Sequence, residues 1–261
     1  MAGKEENSIP KLLKLKDYAT LLGTTIGLVS LIFAGIGTRY TITFGFFLLA
    51  FTLGTDLLDG YIARKTGTVN EIGRELDSLS DSLTFGIVPA ILTYQAFKTG
   101  GLYDIVLMIG CIIFALGSLL RLARFNISTE AGYMGVPTPI TALEMIVFYF
   151  ANYFYAAAFG TLADPYPSIS YYFIPANLIL FGWLNITTHL KYKGKGKAFY
   201  YVVILIAPIV PVFGIIGLFG DQVHPVVFFT MTVILLCIFF GSQLWQLITS
   251  ICKGFKKIKK K

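Results

Sequence analysis

The sequence predicts an all-α fold: a polytopic integral membrane bundle of about eight transmembrane helices, preceded by a short interfacial amphipathic helix. Three observations carry that prediction. Hydrophobic residue types make up 56% of the 261 residues, charged types only 13%, and the mean hydropathy is +0.73. Apolar stretches recur along the chain, each near the roughly 20 residues that a helix needs to cross the hydrocarbon core. Lys and Arg then fall almost entirely in alternate connections. A soluble domain carries roughly 25% charged residues to face water, so an ordinary cytosolic globule is excluded. A disordered chain is excluded too, because such chains are poor in aromatic and aliphatic residues.

Taken in order, the spans are expected at about 18–37, 41–63, 74–97, 102–123, 137–157, 170–189, 198–219 and 225–250. Ahead of the first lies a basic amphipathic segment, 8–16, containing Lys11, Lys14 and Lys16 among Ile9, Leu12, Leu13 and Leu15. No small-residue cleavage site follows the first span, so that segment reads as a helix lying in the interface rather than as part of a signal peptide. The bundle occupies 18–250, and 251–261 is a basic tail ending Lys259-Lys260-Lys261; the whole chain, 1–261, forms a single membrane domain. With eight spans both termini share a side. That side collects nineteen Lys and Arg, against only Arg39 and Lys98 on the other. The bias places both termini in the cytoplasm. The formal charge of +7 accordingly faces an anionic membrane surface and not nucleic acid. Cys111, Cys237 and Cys252 are odd in number and scattered, which fits neither a disulfide framework nor a zinc site.

Ionisable groups in apolar spans are expensive and mark function by default. Asp56 and Asp59 close the second span; Asp77 and Asp81 open the third. At ~100° per residue, Asp56, Asp59, Gly60 and Ala63 share one face of a helix, and Gly73, Asp77 and Asp81 share one face of the next. The two spans form a hairpin, so both acidic faces sit at similar depth near the cytoplasmic boundary. Four facing carboxylates repel one another. Divalent cations remove the conflict, and an all-oxygen set selects a hard ion such as Mg²⁺ or Mn²⁺. Two such ions suit displacement at phosphorus. Gly60, Ala63 and Gly73 leave room for a ligand, and Arg64 can bind phosphate oxygens.

These residues resemble the signature of the CDP-alcohol phosphatidyltransferases, D-x2-D-G-x2-A-R-x8-G-x3-D-x3-D. Every fixed position is matched, by Asp56, Asp59, Gly60, Ala63, Arg64, Gly73, Asp77 and Asp81. The resemblance implies an enzyme that transfers a lipid phosphate from a CDP-linked lipid to an alcohol and releases CMP. It implies that Asp56, Asp59 and Asp77 hold two divalent cations, with Asp81 both near the metals and acting as the catalytic base. Gly60, Ala63, Arg64 and Gly73 would line the nucleotide and pyrophosphate site. Where many members carry Asn near the start of the first span, this chain has Leu22-Gly23-Thr24-Thr25, and Thr24 is the residue expected there. The resemblance also implies a homodimer.

The fourth span ends Arg121-Leu122-Ala123-Arg124-Phe125-Asn126, followed by Gly135-Val136-Pro137-Thr138-Pro139. Arg121 and Arg124, three apart on one face, form a natural clamp for a carboxylate or phosphate. The two stretches and the eight spans are similar to the phosphatidylserine synthase branch of the family, which includes archaetidylserine synthases. The implied acceptor is L-serine, bound by Arg121, Arg124 and Asn126, and the implied donor is CDP-diacylglycerol or CDP-archaeol. Glycerol 3-phosphate or an inositol phosphate is the alternative acceptor, since the same arginines could hold a phosphate. A cation transporter is the remote alternative: it would place acids near mid-membrane in two related halves, whereas here they gather at one edge. His189 and Lys191 begin like the phospholipase D motif, but Gly196 stands where that route needs Asp. Glu144, inside the fifth span, is expected to pair with a neighbouring helix.

Overall fold

The computed structural model describes residues 9–66, 71–128, 133–159, 166–192, 212, 215–216 and 224–258. Among them the chain is helical, as its composition predicts, apart from one short antiparallel pair. Among the described residues, six helices are long and apolar enough to cross a membrane. Of the eight expected spans, the seventh, 198–219, lies almost wholly outside the described residues, and the third has a different character.

The lead-in forms one turn, α1 (Ile9–Leu12), with Ile9 exposed. Lys14 is extended, and Leu15 and Lys16 open α2 (Leu15–Ile36) instead of closing the lead-in helix. Asp17 explains the start: its Oδ2 accepts the Lys14 backbone N–H at 2.7 Å, reaching back as the third residue of a capping box does. The Asp17 side chain is fully buried and meets Lys16 Nζ at 3.1 Å. Gly37, at φ +78°, ends α2 in the left-handed conformation that favours glycine. Next comes α3 (Arg39–Thr66), whose 28 residues span about 42 Å at 1.5 Å each. Its described part Arg39–Leu57 is long and apolar enough to cross a membrane.

The third expected span is helical throughout but changes type. It comprises the amphipathic α4 (Glu71–Asp81), a π-helical turn at Ser82–Ile87, and α5 (Val88–Phe97). The Val88 N–H bonds to the Leu83 carbonyl, five residues back. Pro89 gives a physical reason: it has no N–H for the next bond, and its ring disfavours the carbonyl four residues earlier.

The remaining helices are α6 (Tyr103–Ile127), α7 (Thr138–Phe159), α8 (Ser168–Ile186) and α9 (Pro225–Ile258). The expected basic tail begins as an unbroken continuation of α9. α7 is the interior helix: Tyr149, Phe150 and Phe154 are fully buried, and Phe46 stacks on Tyr149 at 4.0 Å. α2 packs along α3, α6 along α8, and α9 along α7. Small residues set the α6–α8 distance, because a Cβ on Gly117 would lie 2.4 Å from the Gly182 carbonyl oxygen. Glu144 pairs as expected: its Oε1 accepts from Ser242 Oγ at 2.6 Å and from Gln246 Nε2 at 2.5 Å, tying α7 to α9.

Between α6 and α7, Tyr133–Met134 (β1) pairs antiparallel with Lys191–Tyr192 (β2), Met134 opposite Lys191. This pair fastens the G-x-P-T-P segment to the chain beyond α8.

Candidate active site

Asp56 of α3 comes together with Asp77 and Asp81 of α4. Carboxylate oxygens of Asp56, Asp77 and Asp81 all lie within 4.8 Å of one another, each residue half-buried. Asp59 sits one turn after Asp56 on α3, and Ala63 and Arg64 follow it; the side chains of these three fall outside the description. Gly60 is half-buried on the same helix, and Gly73 is buried on α4.

A small cleft opens against this cluster. It is lined by Asp56 and Asp81 together with Thr20, Gly23, Thr52, Thr55, Ser80, Thr84 and Phe85. Four of the hydroxyls donate to carbonyls of the preceding turn: Thr20 to Lys16 at 3.3 Å, Thr52 to Leu49 at 2.7 Å, Thr55 to Thr52 at 2.9 Å and Thr84 to Ser80 at 2.8 Å. Their oxygens therefore present lone pairs. With the carboxylates they make a hard, acceptor-rich surface, which is the donor chemistry that Mg²⁺ or Mn²⁺ requires. Thr24 lies beside this cleft but not in its wall. Its hydroxyl meets Ser80 Oγ at 2.7 Å, linking α2 to α4.

On the other side of α4, Ser78 Oγ donates to Asn126 Oδ1 at 3.0 Å, joining the aspartate-bearing helix to the end of α6. There a second small cleft is lined by Arg121, Arg124, Phe125, Ser128 and Met134. Arg121 is buried, with Nη1 3.5 Å from Thr138 Oγ1. Arg124 behaves differently: Nη1 donates to the Ile186 carbonyl at 2.6 Å, and Nη2 to those of Met134 at 2.9 Å and Asn185 at 3.4 Å. Both arginines line this cleft.

A family model described as CDP-alcohol phosphatidyltransferase matches residues 15–183, from the start of α2 nearly to the end of α8. The chain belongs to the CDP-alcohol phosphatidyltransferase family. Within that family it is similar to enzymes named for serine transfer. It is 40% identical over 141 residues to a CDP-diacylglycerol–serine O-phosphatidyltransferase of Methanocaldococcus jannaschii, covering 54% of this chain and 63% of the relative. Over 164 residues it is 32% identical to an archaetidylserine synthase of Methanothermobacter thermautotrophicus, covering 60% of this chain and 68% of that one. A Bacillus subtilis CDP-diacylglycerol–serine O-phosphatidyltransferase is 32% identical over 119 residues, 44% of this chain and 65% of its own length. The chain thus spans somewhat under two thirds of the length of the first of these relatives.

For this family member, sequence reasoning missed the hydroxyls at 20, 52, 55, 80 and 84 that wall the first cleft. Ser and Thr in a span satisfy themselves against the preceding turn, so they carry little signal on their own. The spacing of Thr52 and Thr55 on the Asp56 side of α3 was the available hint. It also missed Asn185, which is buried between three helices.

Proposed function

We propose that this family member transfers a phosphatidyl or archaetidyl group from a CDP-linked lipid to the hydroxyl of L-serine and releases CMP. The observation that carries the reading is the convergence of Asp56, Asp77 and Asp81 within 4.8 Å at the end of the apolar spans. These residues fit a pair of divalent cations, with Asp59 as the fourth expected ligand. Bound there, Mg²⁺ or Mn²⁺ would neutralise charge on the pyrophosphate of the donor. Gly60, Ala63, Arg64 and Gly73 would accommodate the nucleotide and pyrophosphate, with Thr24 steadying α4 through Ser80.

In the transfer, Asp81 accepts the proton of the serine hydroxyl as that oxygen forms its bond to the lipid-side phosphorus. The bond from that phosphorus to the CMP oxygen breaks, and its electron pair leaves with CMP. The cleft carrying Arg121 and Arg124, with Asn126 beside it, would receive the serine carboxylate. The hydrogen bond from Ser78 to Asn126 supports this placement, because it holds that cleft against the helix bearing Asp77 and Asp81. The bias of Lys and Arg supports a site and termini on the cytoplasmic side, and the family supports a homodimer.

The deciding experiment is CMP release from CDP-diacylglycerol and from CDP-archaeol in detergent with Mn²⁺. L-serine, glycerol 3-phosphate and an inositol phosphate are offered in turn. Release that depends on L-serine alone is expected. Release that depends on either phosphate, with serine inert, would replace the acceptor and keep the chemistry.

A further inference from the structure

Helices leave their last carbonyls without intrahelical donors, and side chains, neighbouring backbone or water must supply them. α8 ends at Ile186, and each of its last four carbonyls has a donor, three of them from other segments. Trp183 O accepts from Thr187 N at 2.9 Å, and Leu184 O from Val136 N at 3.0 Å. The carbonyls of Asn185 and Ile186 accept from Arg124 of α6, whose guanidinium also holds Met134 O in the loop before α7. Arg124 is therefore a C-cap supplied across helices, and its positive charge faces the negative end of the α8 dipole.

The Asn185 side chain completes the junction. It is fully buried; Nδ2 donates to Ser118 Oγ at 3.0 Å, and Oδ1 accepts from Thr141 Oγ1 at 3.3 Å. One amide so fixes α8 against both α6 and α7. Ser118 lies on α6 one turn before Arg121, and it packs on the π-helical turn that follows Asp81: a Cβ on Gly86 would lie 3.2 Å from Ser118 Cβ. The loop is equally constrained, because Gly135 has φ +78° and a Cβ there would fall 2.0 Å from Asn185 O.

We propose that Arg124 and Asn185 form a positioning unit for the acceptor site, in which Arg124 caps α8 and Asn185 fixes the rotation of α6, while Arg121 supplies the cation that meets the acceptor's carboxylate. This rests on the serine reading above and divides the labour of a pair that the sequence presents as equivalent. Neither positioning residue touches the acceptor; each acts through the placement of Arg121.

The test pairs each variant with a change in the substrate. L-serinamide keeps the hydroxyl and the ammonium of L-serine but has no carboxylate. In wild type, kcat/KM should favour serine over serinamide by about ten- to a hundredfold, the worth of a charge-assisted contact. Arg121→Ala should bring that preference close to one. Arg124→Ala and Asn185→Ala should lower kcat for both acceptors by a common factor, about tenfold or more, and keep the preference. Arg124→Lys, which retains donors for the carbonyls, should recover part of kcat. Where Arg124→Ala does not survive detergent extraction, Ser118→Ala loosens the same junction with the cap intact, and its kinetics should follow Asn185→Ala. Loss of the preference in Arg124→Ala would overturn the proposal, since that residue would then touch the carboxylate. So would unchanged kinetics in both Arg124→Ala and Asn185→Ala, or a wild type indifferent to the carboxylate. A wild type that releases CMP no faster with serine would sink the serine reading instead, a distinct outcome.

Discussion

Asp77→Asn tests whether the three carboxylates share a cation, because it should make the protein more stable and inactive at once. The substitution keeps the shape and removes one charge from a group whose ligand atoms lie within 4.8 Å of one another. At that separation two unit charges repel by about 3.5 kcal/mol at an effective dielectric constant of about 20. Asp77 takes part in two such pairs. Water and salt reach these half-buried groups, so we discount the total to about 1–3 kcal/mol. In EDTA the variant should therefore unfold at a higher temperature than wild type. With Mg²⁺ or Mn²⁺ present the order should reverse, since a ligand at about 100 times its Kd stabilises only the competent protein by about 2.7 kcal/mol. The assay is thermal unfolding in detergent with EDTA and with each metal, and CMP release on the same samples. Two results would refute the reasoning: a variant no more stable than wild type in EDTA, or one that gains as much from metal as wild type does. Full wild-type turnover in EDTA would refute the metal site itself.

Further expectations follow from the same geometry. Asp81→Asn should leave CDP-lipid affinity largely intact while kcat falls by about 10²–10⁴, the usual worth of a general base; affinity for nucleotide and metal falling together would make it a ligand only. Arg121→Ala should raise the KM for serine by about ten- to a hundredfold and leave that for the CDP-lipid near wild type, read from initial rates with each substrate varied in turn. Gly135→Ala places a Cβ 2.0 Å from the Asn185 carbonyl at φ +78°, so it should lower the unfolding temperature and the yield of folded protein in detergent. Glu144→Ala strands Ser242 and Gln246 at the α7–α9 contact and should cost about 1–3 kcal/mol, seen as earlier unfolding with KM values unchanged.

The aspartates were legible because a carboxylate in an apolar run has few cheap explanations, and because a regular helix turns by a known angle. Counting 100° steps put Asp77 and Asp81 on one face, and α4 is regular over that interval. The same arithmetic could not foresee the turn of different pitch that begins at Ser82, although Pro89 signals a broken ladder. Arg121 and Arg124 looked alike because spacing shows only that two side chains share a face. Which carbonyls lie opposite depends on where α8 ends and how the Gly135 loop folds back, and both are tertiary facts. Thr24 was expected in the nucleotide site because it stands where many family members carry Asn; that its hydroxyl also meets Ser80, a partner 56 residues away, could not be read from spacing. Glu144 was legible in kind but not in detail: burial demanded a partner, and only the packing of α9 could say that it is Ser242 and Gln246.

The wide turn at Ser82–Ile87 has a consequence for how this chain can change over generations. A π-helical turn holds about one residue more than the α-helical turn it replaces, so it behaves as an insertion absorbed within a helix. Removing one residue there lets the ordinary ladder re-form without moving Asp81 relative to Asp77. Removing one between Asp56 and Asp59, or between Asp77 and Asp81, turns one carboxylate by ~100° relative to the other on its helix and breaks up the acidic face. Single-residue length differences among relatives should therefore gather in this turn and the loops, and be missing from the two aspartate-bearing stretches.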